Sequence, residues 1–330
     1  METFNGKTIL VCGGAGFIGS NLVRKLLNSR HRIIVIDNLS TGKLSNLELD
    51  NPRLIFIKTD INRDLENVFS RYKPSIVFHL AAQIDVRLSM SNPLLDAKIN
   101  ILGSLNVLEL ARKFKVNKII YSSTGGVIYG SPKKIPVSED YPSSPICAYG
   151  LSKYIIEEYL RLYYQSYGLK YIVLRYGNVY GPGQNPKSEA GVIAIFINQL
   201  LSAKQPILYD NGLQKRDYVY IDDIVKANLL AIKKDVCGVF NIGTGKATSA
   251  KQILKKIERL LSIKVKPLLA PKRLGEIKQI SLNSNLAKRT LGWQAETSLS
   301  AGLKNTINYF KKNYEDFNHR RSWFYRLAFN

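Results

Sequence analysis

One loop constrains this 330-residue chain more than anything else in it: Cys12-Gly13-Gly14-Ala15-Gly16-Phe17-Ile18-Gly19-Ser20, set between a strand-like apolar run at 8–11 and a helical segment beginning near Asn21. Three glycines spaced by three let the backbone turn tightly and approach a pyrophosphate closely. The helix that follows then points its free N–H groups, and the positive end of its dipole, at the phosphates. Other strand-like runs lie at 33–37, 53–58, 75–79, 117–122 and 170–174, separated by helical periodicity such as 21–27 and 101–113. Strands alternating with helices build a parallel, doubly wound α/β (Rossmann) sheet.

After Arg175 the rhythm loosens into Gly- and Pro-bearing loops, with isolated helices at 192–203 and 249–261. The expected organisation is a dinucleotide-binding domain over 1–176, a smaller α/β substrate lobe over 177–317 and a basic aromatic tail over 318–330. Phe240-Asn241-Ile242-Gly243 reads as a strand, at about 237–243, that returns to the first domain and interleaves the two. Neither an internal repeat nor a low-complexity segment is present.

Asp37 ends the second strand at the distance where a carboxylate bonds the adenosine ribose and repels a 2′-phosphate, which favours NAD over NADP. Ser40-Thr41-Gly42 add short polar groups beside it. Farther on, Tyr149 and Lys153 stand four apart at the start of a helical stretch at 152–164, so both side chains share one helix face. A Lys ammonium and an oxidised nicotinamide beside a phenol stabilise its phenolate, and a phenol so lowered is a general base. Ser122, Ser123 and Thr124 place hydroxyls at the C-terminal end of a strand, where open α/β sheets bind ligands.

These motifs, taken in order, resemble the extended short-chain dehydrogenases/reductases, and within them the nucleoside-diphosphate-sugar 4-epimerases of the UDP-glucose 4-epimerase type. The resemblance runs from about Lys7 to Phe310. It also takes in His79-Leu80-Ala81-Ala82-Gln83, Leu174-Arg175-Tyr176-Gly177-Asn178, Arg216-Asp217-Tyr218, Asn241-Ile242-Gly243-Thr244-Gly245, Arg273-Leu274-Gly275-Glu276 and Leu291-Gly292-Trp293. It implies that NAD is held by Gly13, Gly16, Phe17, Ile18 and Gly19, by Asp37, Asn38, Ser40, Thr41 and Gly42, and by Asp60 and Ile61. Leu80, Ala81, Ala82, Gln83, Asn100, Ser122 and Tyr176 complete the cofactor set, together with Tyr149 and Lys153. It further implies that Thr124, Tyr149 and Lys153 are catalytic, with Ser123 as the alternative hydroxyl. Asn178, the backbone near Val192, Tyr209, Gln214, Arg216, Arg273 and Glu276 would hold a UDP-sugar; paired guanidinium donors suit a diphosphate.

The activity this implies is redox-neutral epimerisation at C4 through a 4-keto sugar. Sister dehydratases carry an Asp-Glu pair just after the catalytic Thr and decarboxylases a Glu, whereas this chain has Gly125-Gly126. Ile280 falls where family members with a bulky aromatic exclude N-acetylated sugars, and an aliphatic residue there leaves glucose, N-acetylglucosamine and glucuronate open. Dehydratase, decarboxylase and uronate epimerase are the alternatives on the same scaffold.

Composition fits a globular protein, with 45% apolar and 22% charged residues. The start lacks the features of a signal peptide, and the expectation is a cytoplasmic protein. Cys12, Cys147 and Cys237 are odd in number and far apart, which suits reduced structural thiols and no metal site. The balance of 48 Lys+Arg against 25 Asp+Glu leaves a net charge of +23, which attracts anions of any kind. The basic residues are dispersed, so no nucleic-acid partner is expected. The exception is the acid-free, Arg- and aromatic-rich run from His319 to Phe329, a composition able to rest on a membrane surface or a neighbouring subunit. A catalytically idle RNA- or membrane-associated protein is the reading of another class. The resemblance also implies a homodimer through helices at about 101–114 and 152–167.

Overall fold

The computed structural model describes residues 6–186, 191–272 and 277–328, with side chains through Asn313. Seven parallel strands form the central sheet: β1 (Thr8–Cys12), β2 (Arg32–Asp37), β3 (Leu54–Lys58), β4 (Ile76–His79), β5 (Lys118–Thr124), β6 (Lys170–Tyr176) and, after an excursion, β10 (Gly238–Ile242). Their order is β10-β6-β5-β4-β1-β2-β3. Successive side chains on a strand face opposite ways. Ile9, Val11, Val35 and Phe78 therefore enter one core, and Leu10, Ile34, Val77 and Tyr121 the other. Chain order reverses between β1 and β4, which opens a crevice at their C-terminal ends.

Helices α1 (Phe17–Leu27), α2 (Glu66–Tyr72), α3 (Val86–Ser91), α4 (Pro93–Ala97), α5 (Gly103–Lys113) and α6 (Ala148–Tyr167) connect these strands. Helix α1 begins at Phe17, four residues before the expected start near Asn21, because Gly16 serves as the N-cap directly after the turn. Helix α6 likewise begins at Ala148 and ends at Tyr167, beyond both expected limits. Cys147 Sγ accepts the Gly150 N–H at 3.4 Å to cap its start, and left-handed Gly168 (φ 71°) ends it. A π turn at Lys98–Leu102 joins α4 to α5 and includes Asn100.

The second lobe contains β7 (Asn178–Tyr180), α7 (Val192–Leu201), β8 (Ile207–Tyr209), β9 (Lys215–Tyr220), α8 (Ile221–Lys233), β11 (Ala247–Ser249), α9 (Ala250–Leu261), β12 (Leu268–Ala270), α10 (Asn285–Leu291) and α11 (Leu299–Ala328). β11, β9 and β7 make a small sheet, and β12 pairs with β8. β10 lies along β6 in parallel register, from Gly238 opposite Ile172 to Ile242 opposite Tyr176. The expectation for the tail falls on side chains outside the described residues. Among the described residues no helix is long and apolar enough to cross a membrane, and all three cysteines are free.

One buried carboxylate ties the second lobe to the sheet. Asp217, at 0% exposure, accepts hydrogen bonds from the N–H groups of Thr244 (2.8 Å), Gly245 (3.0 Å) and Leu282 (3.0 Å) and from the Thr244 hydroxyl (2.5 Å). These bonds join β9, the turn after β10 and the strand-like segment at 281–283. Asp217→Ala would orphan several buried donors at once, each worth about 1–3 kcal/mol. We expect a loss of at least about 3 kcal/mol in urea unfolding; a loss under about 1 kcal/mol would show that water replaces the carboxylate.

Candidate active site

The glycine loop closes the C-terminal end of β1. Gly13 takes φ +78°, and a Cβ there would stand 2.7 Å from the Ala81 nitrogen in the chain leaving β4. At Gly19 a Cβ would meet the Gly13 carbonyl oxygen at 2.2 Å, so only glycine lets α1 pack on its own loop. Around Gly16 the space is open, with Gly13 oxygen 3.4 Å from a would-be Cβ. No side chain caps α1 and its first turn holds no acid, so its N–H groups face that space without a competing carboxylate. A backbone cradle of this kind fits a dinucleotide pyrophosphate, with Phe17 and Ile18 as the first residues of the helix.

Around the loop, Asp37 is buried and bonds the Ala15 N–H (3.0 Å) and the Leu39 N–H (2.8 Å). The chain then folds back over the loop. Gly42 touches Ala15, and the Lys43 N–H donates to the Ala15 carbonyl at 3.1 Å, leaving Ser40 and Thr41 exposed at the rim. Asn38 Nδ2 donates to Asp60 at 2.7 Å, and the Asn62 N–H bonds the same carboxylate at 2.8 Å. Burial pushes Asp60 up, but these bonds outweigh it and hold the group below its usual range. Ile61 is buried beneath Gly103.

The opposite wall follows β4. Leu80 bonds back to Cys12, and Ala81 abuts Gly13, with Ala82 next in line. Gln83 and Asn100 hold each other by two bonds of 2.9 Å. Both also donate to Asp96, from Asn100 Nδ2 at 2.9 Å and from Gln83 Nε2 at 3.0 Å. Tyr176 turns away from this wall: its hydroxyl is buried against Asn228 on α8 at 2.8–3.0 Å, so only its backbone borders the site.

Helix α6 delivers the phenol and the ammonium. Gly150 packs against Val127, which brings the first turn of α6 to the loop leaving β5. Lys153 is 2% exposed. Its Nζ donates to the Ser122 carbonyl at 3.0 Å and lies 4.8 Å from the centre of the Tyr121 ring. Burial pulls its pKa down to about 8, while Asp96 and then Glu157 act to hold it up. The expected lowering of Tyr149 is absent from the protein alone. Burial, then Cys147 and Asp96, push the phenol well up.

The two candidate hydroxyls face opposite ways. Ser123 is buried and donates to Glu157 at 2.5 Å. Thr124 is partly exposed, accepts the Gly126 N–H at 3.1 Å, and shares with Asn178 the space beside Gly126, where a Cβ would lie 3.4 Å from Thr124 Oγ1 and 3.6 Å from Asn178 Oδ1. At Gly125 a Cβ would strike Leu282 at 2.5 Å. Ile280 is buried with Tyr129, Val137 and Leu282.

The remaining substrate candidates are spread over the second lobe. Val192 opens α7, Tyr209 ends β8, and Gln214 is buried just before β9. Arg216 donates to the Ile277 carbonyl at 2.7 Å. Arg273 and Glu276 lie outside the described residues. Away from the crevice, a cavity of about 600 Å³ opens at the other end of the sheet, among Lys7, Lys118, Lys170 and Asp235. Its Lys118 caps α8 through the Ala231 carbonyl at 3.2 Å, and the cavity shares no residue with the glycine loop. Sequence reasoning did not single out Asp96 or Glu157, although both bear on Lys153.

Comparison with known proteins places this architecture. Residues 9–243 match the model of the NAD dependent epimerase/dehydratase family, and the chain belongs to that family. A UDP-glucose 4-epimerase of Thermotoga maritima, solved with UDP-glucose, is similar at 46% identity and TM-score 0.90 over 93% of this chain and 99% of that one. The Thermus thermophilus UDP-glucose 4-epimerase, solved with NAD, is similar at 38% identity and TM-score 0.86 over 92% and 99%. A UDP-N-acetylglucosamine 4-epimerase of Methanobrevibacter ruminantium, in complex with UDP-N-acetylmuramic acid, is similar at 34% identity and TM-score 0.88 over 93% and 99%.

Gly19→Ala probes the loop. The added methyl forces the turn off α1, and we expect about 1–3 kcal/mol lower stability together with loss of NAD from the purified protein. NAD retained at the wild-type ratio, measured by absorbance after denaturation, would contradict the packing argument.

Proposed function

We propose that this chain interconverts the C4 epimers of a UDP-hexose with NAD as its resident cofactor. The observation that carries the reading is the delivery by α6 of Tyr149 and Lys153 to the end of β5, beside a glycine cradle, with Thr124 facing out and no carboxylate at 125–126. NAD, held by the glycine loop, Asp37 and the Gln83–Asn100 wall, would supply the acceptor and donor of the C4 hydride. Tyr149 takes the proton of the sugar 4-OH and gives it back, Thr124 hydrogen-bonds that oxygen, and Lys153 holds the phenolate by its charge. Asn178, the start of α7, Tyr209, Gln214, Arg216, Arg273 and Glu276 anchor the nucleotide, so the sugar is free to turn between faces while the diphosphate stays fixed.

Incubation with UDP-glucose, UDP-N-acetylglucosamine or UDP-glucuronate, followed by NMR of the anomeric proton, tests this directly. The expected result is the C4 epimer of at least one sugar. Tyr149→Phe should lower kcat by at least about a hundredfold and Thr124→Val by at least about tenfold. Ser123→Ala should leave kcat within about threefold and reduce stability by about 1 kcal/mol. Lys153 loses its proton as pH rises through about 8, so kcat should fall above that pH. No epimer from any of the three, with NAD added, would sink the reading.

The same reading includes a homodimer through α5 and α6, supported by Leu102 in the turn leading into α5 and by Leu151, Leu162 and Tyr167 on α6, which stand 60%, 49%, 49% and 58% exposed. Light scattering that returned the mass of one chain would overturn it.

A further inference from the structure

Lys153 is a buried cation whose direct contacts are neutral: the Ser122 carbonyl and the Tyr121 ring. Burying such a charge is unfavourable unless an anion compensates it. Two carboxylates lie near enough to raise its proton affinity, Asp96 from α4 and Glu157 from α6 itself. The other titratable groups of this region are Tyr149 on α6, Cys147 at its N-cap, Tyr121 on β5 and His79 on β4. The His79 pKa is pushed down to about 3, first by burial and then by Lys153 itself.

The two carboxylates are not equivalent. Glu157 is already neutralised by Arg175, whose Nη2 lies 2.5 Å from Oε2 and whose Nε bonds both oxygens at 3.0 and 3.1 Å. Asp96 is 1% exposed, and its partners among the described residues are all neutral. Ser152 Oγ donates at 2.5 Å to one oxygen, and Asn100 Nδ2 and Gln83 Nε2 donate to the other. Asp96 and Lys153 are therefore the uncompensated anion and cation of the same buried region. Ser152, next to Lys153 in the chain, is the link between them. The other two partners of Asp96 are the wall residues expected to line the cofactor.

We propose that Asp96 is a positioning residue: its carboxylate is the counter-charge that keeps Lys153 an ammonium beside Tyr149, and its bonds lock the catalytic helix to the Gln83–Asn100 wall. This rests on the C4-epimerase reading, because Tyr149 and Lys153 take their roles from it. Asp96 acts through Ser152 and Lys153, not on the sugar.

Asp96→Asn isolates the charge. The amide oxygen can accept from Gln83 and Asn100 while its NH₂ donates to Ser152, whose hydroxyl reverses to become the acceptor. All three bonds survive and only the charge is lost. Asp96 favours the protonated form of both Lys153 and Tyr149. Its neutralisation must then move both limbs of the kcat–pH profile to lower pH, by about one unit. At pH 8 the ammonium fraction, and kcat with it, should drop about fivefold for such a shift. Ser152→Ala keeps the charge and breaks the link, so kcat should fall with both limbs in place. Asp96→Ser serves as a second charge-free variant if the Asn form does not fold.

Ultraviolet titration of the phenolate, as a difference against the same protein carrying Tyr149→Phe, follows the ionisation without turnover. A Tyr149 titration displaced to lower pH in Asp96→Asn supports the counter-charge even if the wild type epimerises no UDP-sugar, in which case the epimerase reading fails by itself. Unmoved limbs and an unmoved phenolate titration in Asp96→Asn, with kcat reduced or not, would overturn the proposal.

Discussion

The ion pair between Glu157 and Arg175 fixes the geometry on which the rest depends. Each is almost fully buried, and a buried pair of this kind is tolerable only when its remaining hydrogen-bonding capacity is met. Here it is met from several elements. Ser123 on β5 donates to Glu157. Arg175 Nη1 donates to the Tyr129 hydroxyl at 2.8 Å, which donates to Asn241 on β10 at 2.7 Å. Helix α6, two neighbouring central strands and the returning strand are thus joined at one point. Directional bonds at that point fix the rotation of α6, which apolar packing by Ile156 and Leu160 alone would leave looser. One turn back along α6 from Glu157 is Lys153, and one turn farther is Tyr149, so the rotation set at the ion pair is also the orientation of these two side chains, the proposed acid–base pair.

The two halves of the site are built by different physics. The proposed cofactor side is backbone: glycines where side chains would collide, a helix start left without a side-chain cap, and a carboxylate, Asp37, that holds the loop in shape. The proposed catalytic side is a set of buried charges arranged around one helix. Such charges are far more sensitive to the removal of a partner than the backbone cradle is, since few of their interactions are screened by water. The net charge of +23 stands apart from both halves. Lys170 beside the remote cavity pairs with Asp235 at 2.7 Å, and Lys118 caps a helix, so part of that basic surface has a structural explanation.

The parallel sheet was legible because its strands are buried on both faces and read as continuous apolar runs, and the loop because three glycines in that spacing have few other uses. Helix starts were less legible. Gly16 and Cys147 are N-caps without the usual Ser, Thr, Asn or Asp, so nothing in the sequence announced them. That Ser123 turns towards α6 and Thr124 away from it was in principle readable from the period of two along β5, since Tyr121 and Ser123 share the face that meets α6. Glu157 was equally accessible, four residues after Lys153 on the same helix face. Asp96 was not. It reaches Ser152 across 56 positions through a contact that only the fold creates, and no local pattern distinguishes it from an exposed aspartate near a helix end.

On the proposed reading, the turn after Thr124 bears on what can follow once a 4-keto sugar has formed. Elimination at the neighbouring carbons needs an acid and a base close to that ketone, and the family resemblance implies that dehydratases carry them in the two residues after the catalytic hydroxyl. At Gly125 the corresponding volume is already filled by Leu282 from the segment that Asp217 pins down, so a carboxylate there would have to displace part of the second lobe's anchorage. At Gly126 the space is open but is bordered by Thr124 and Asn178, neither of which titrates in the working range. Among the described residues, the groups bordering this turn are a hydroxyl, an amide and an aliphatic side chain, none of them an acid or base suited to elimination. A turn of that makeup supports the proposed C4 epimerisation over elimination.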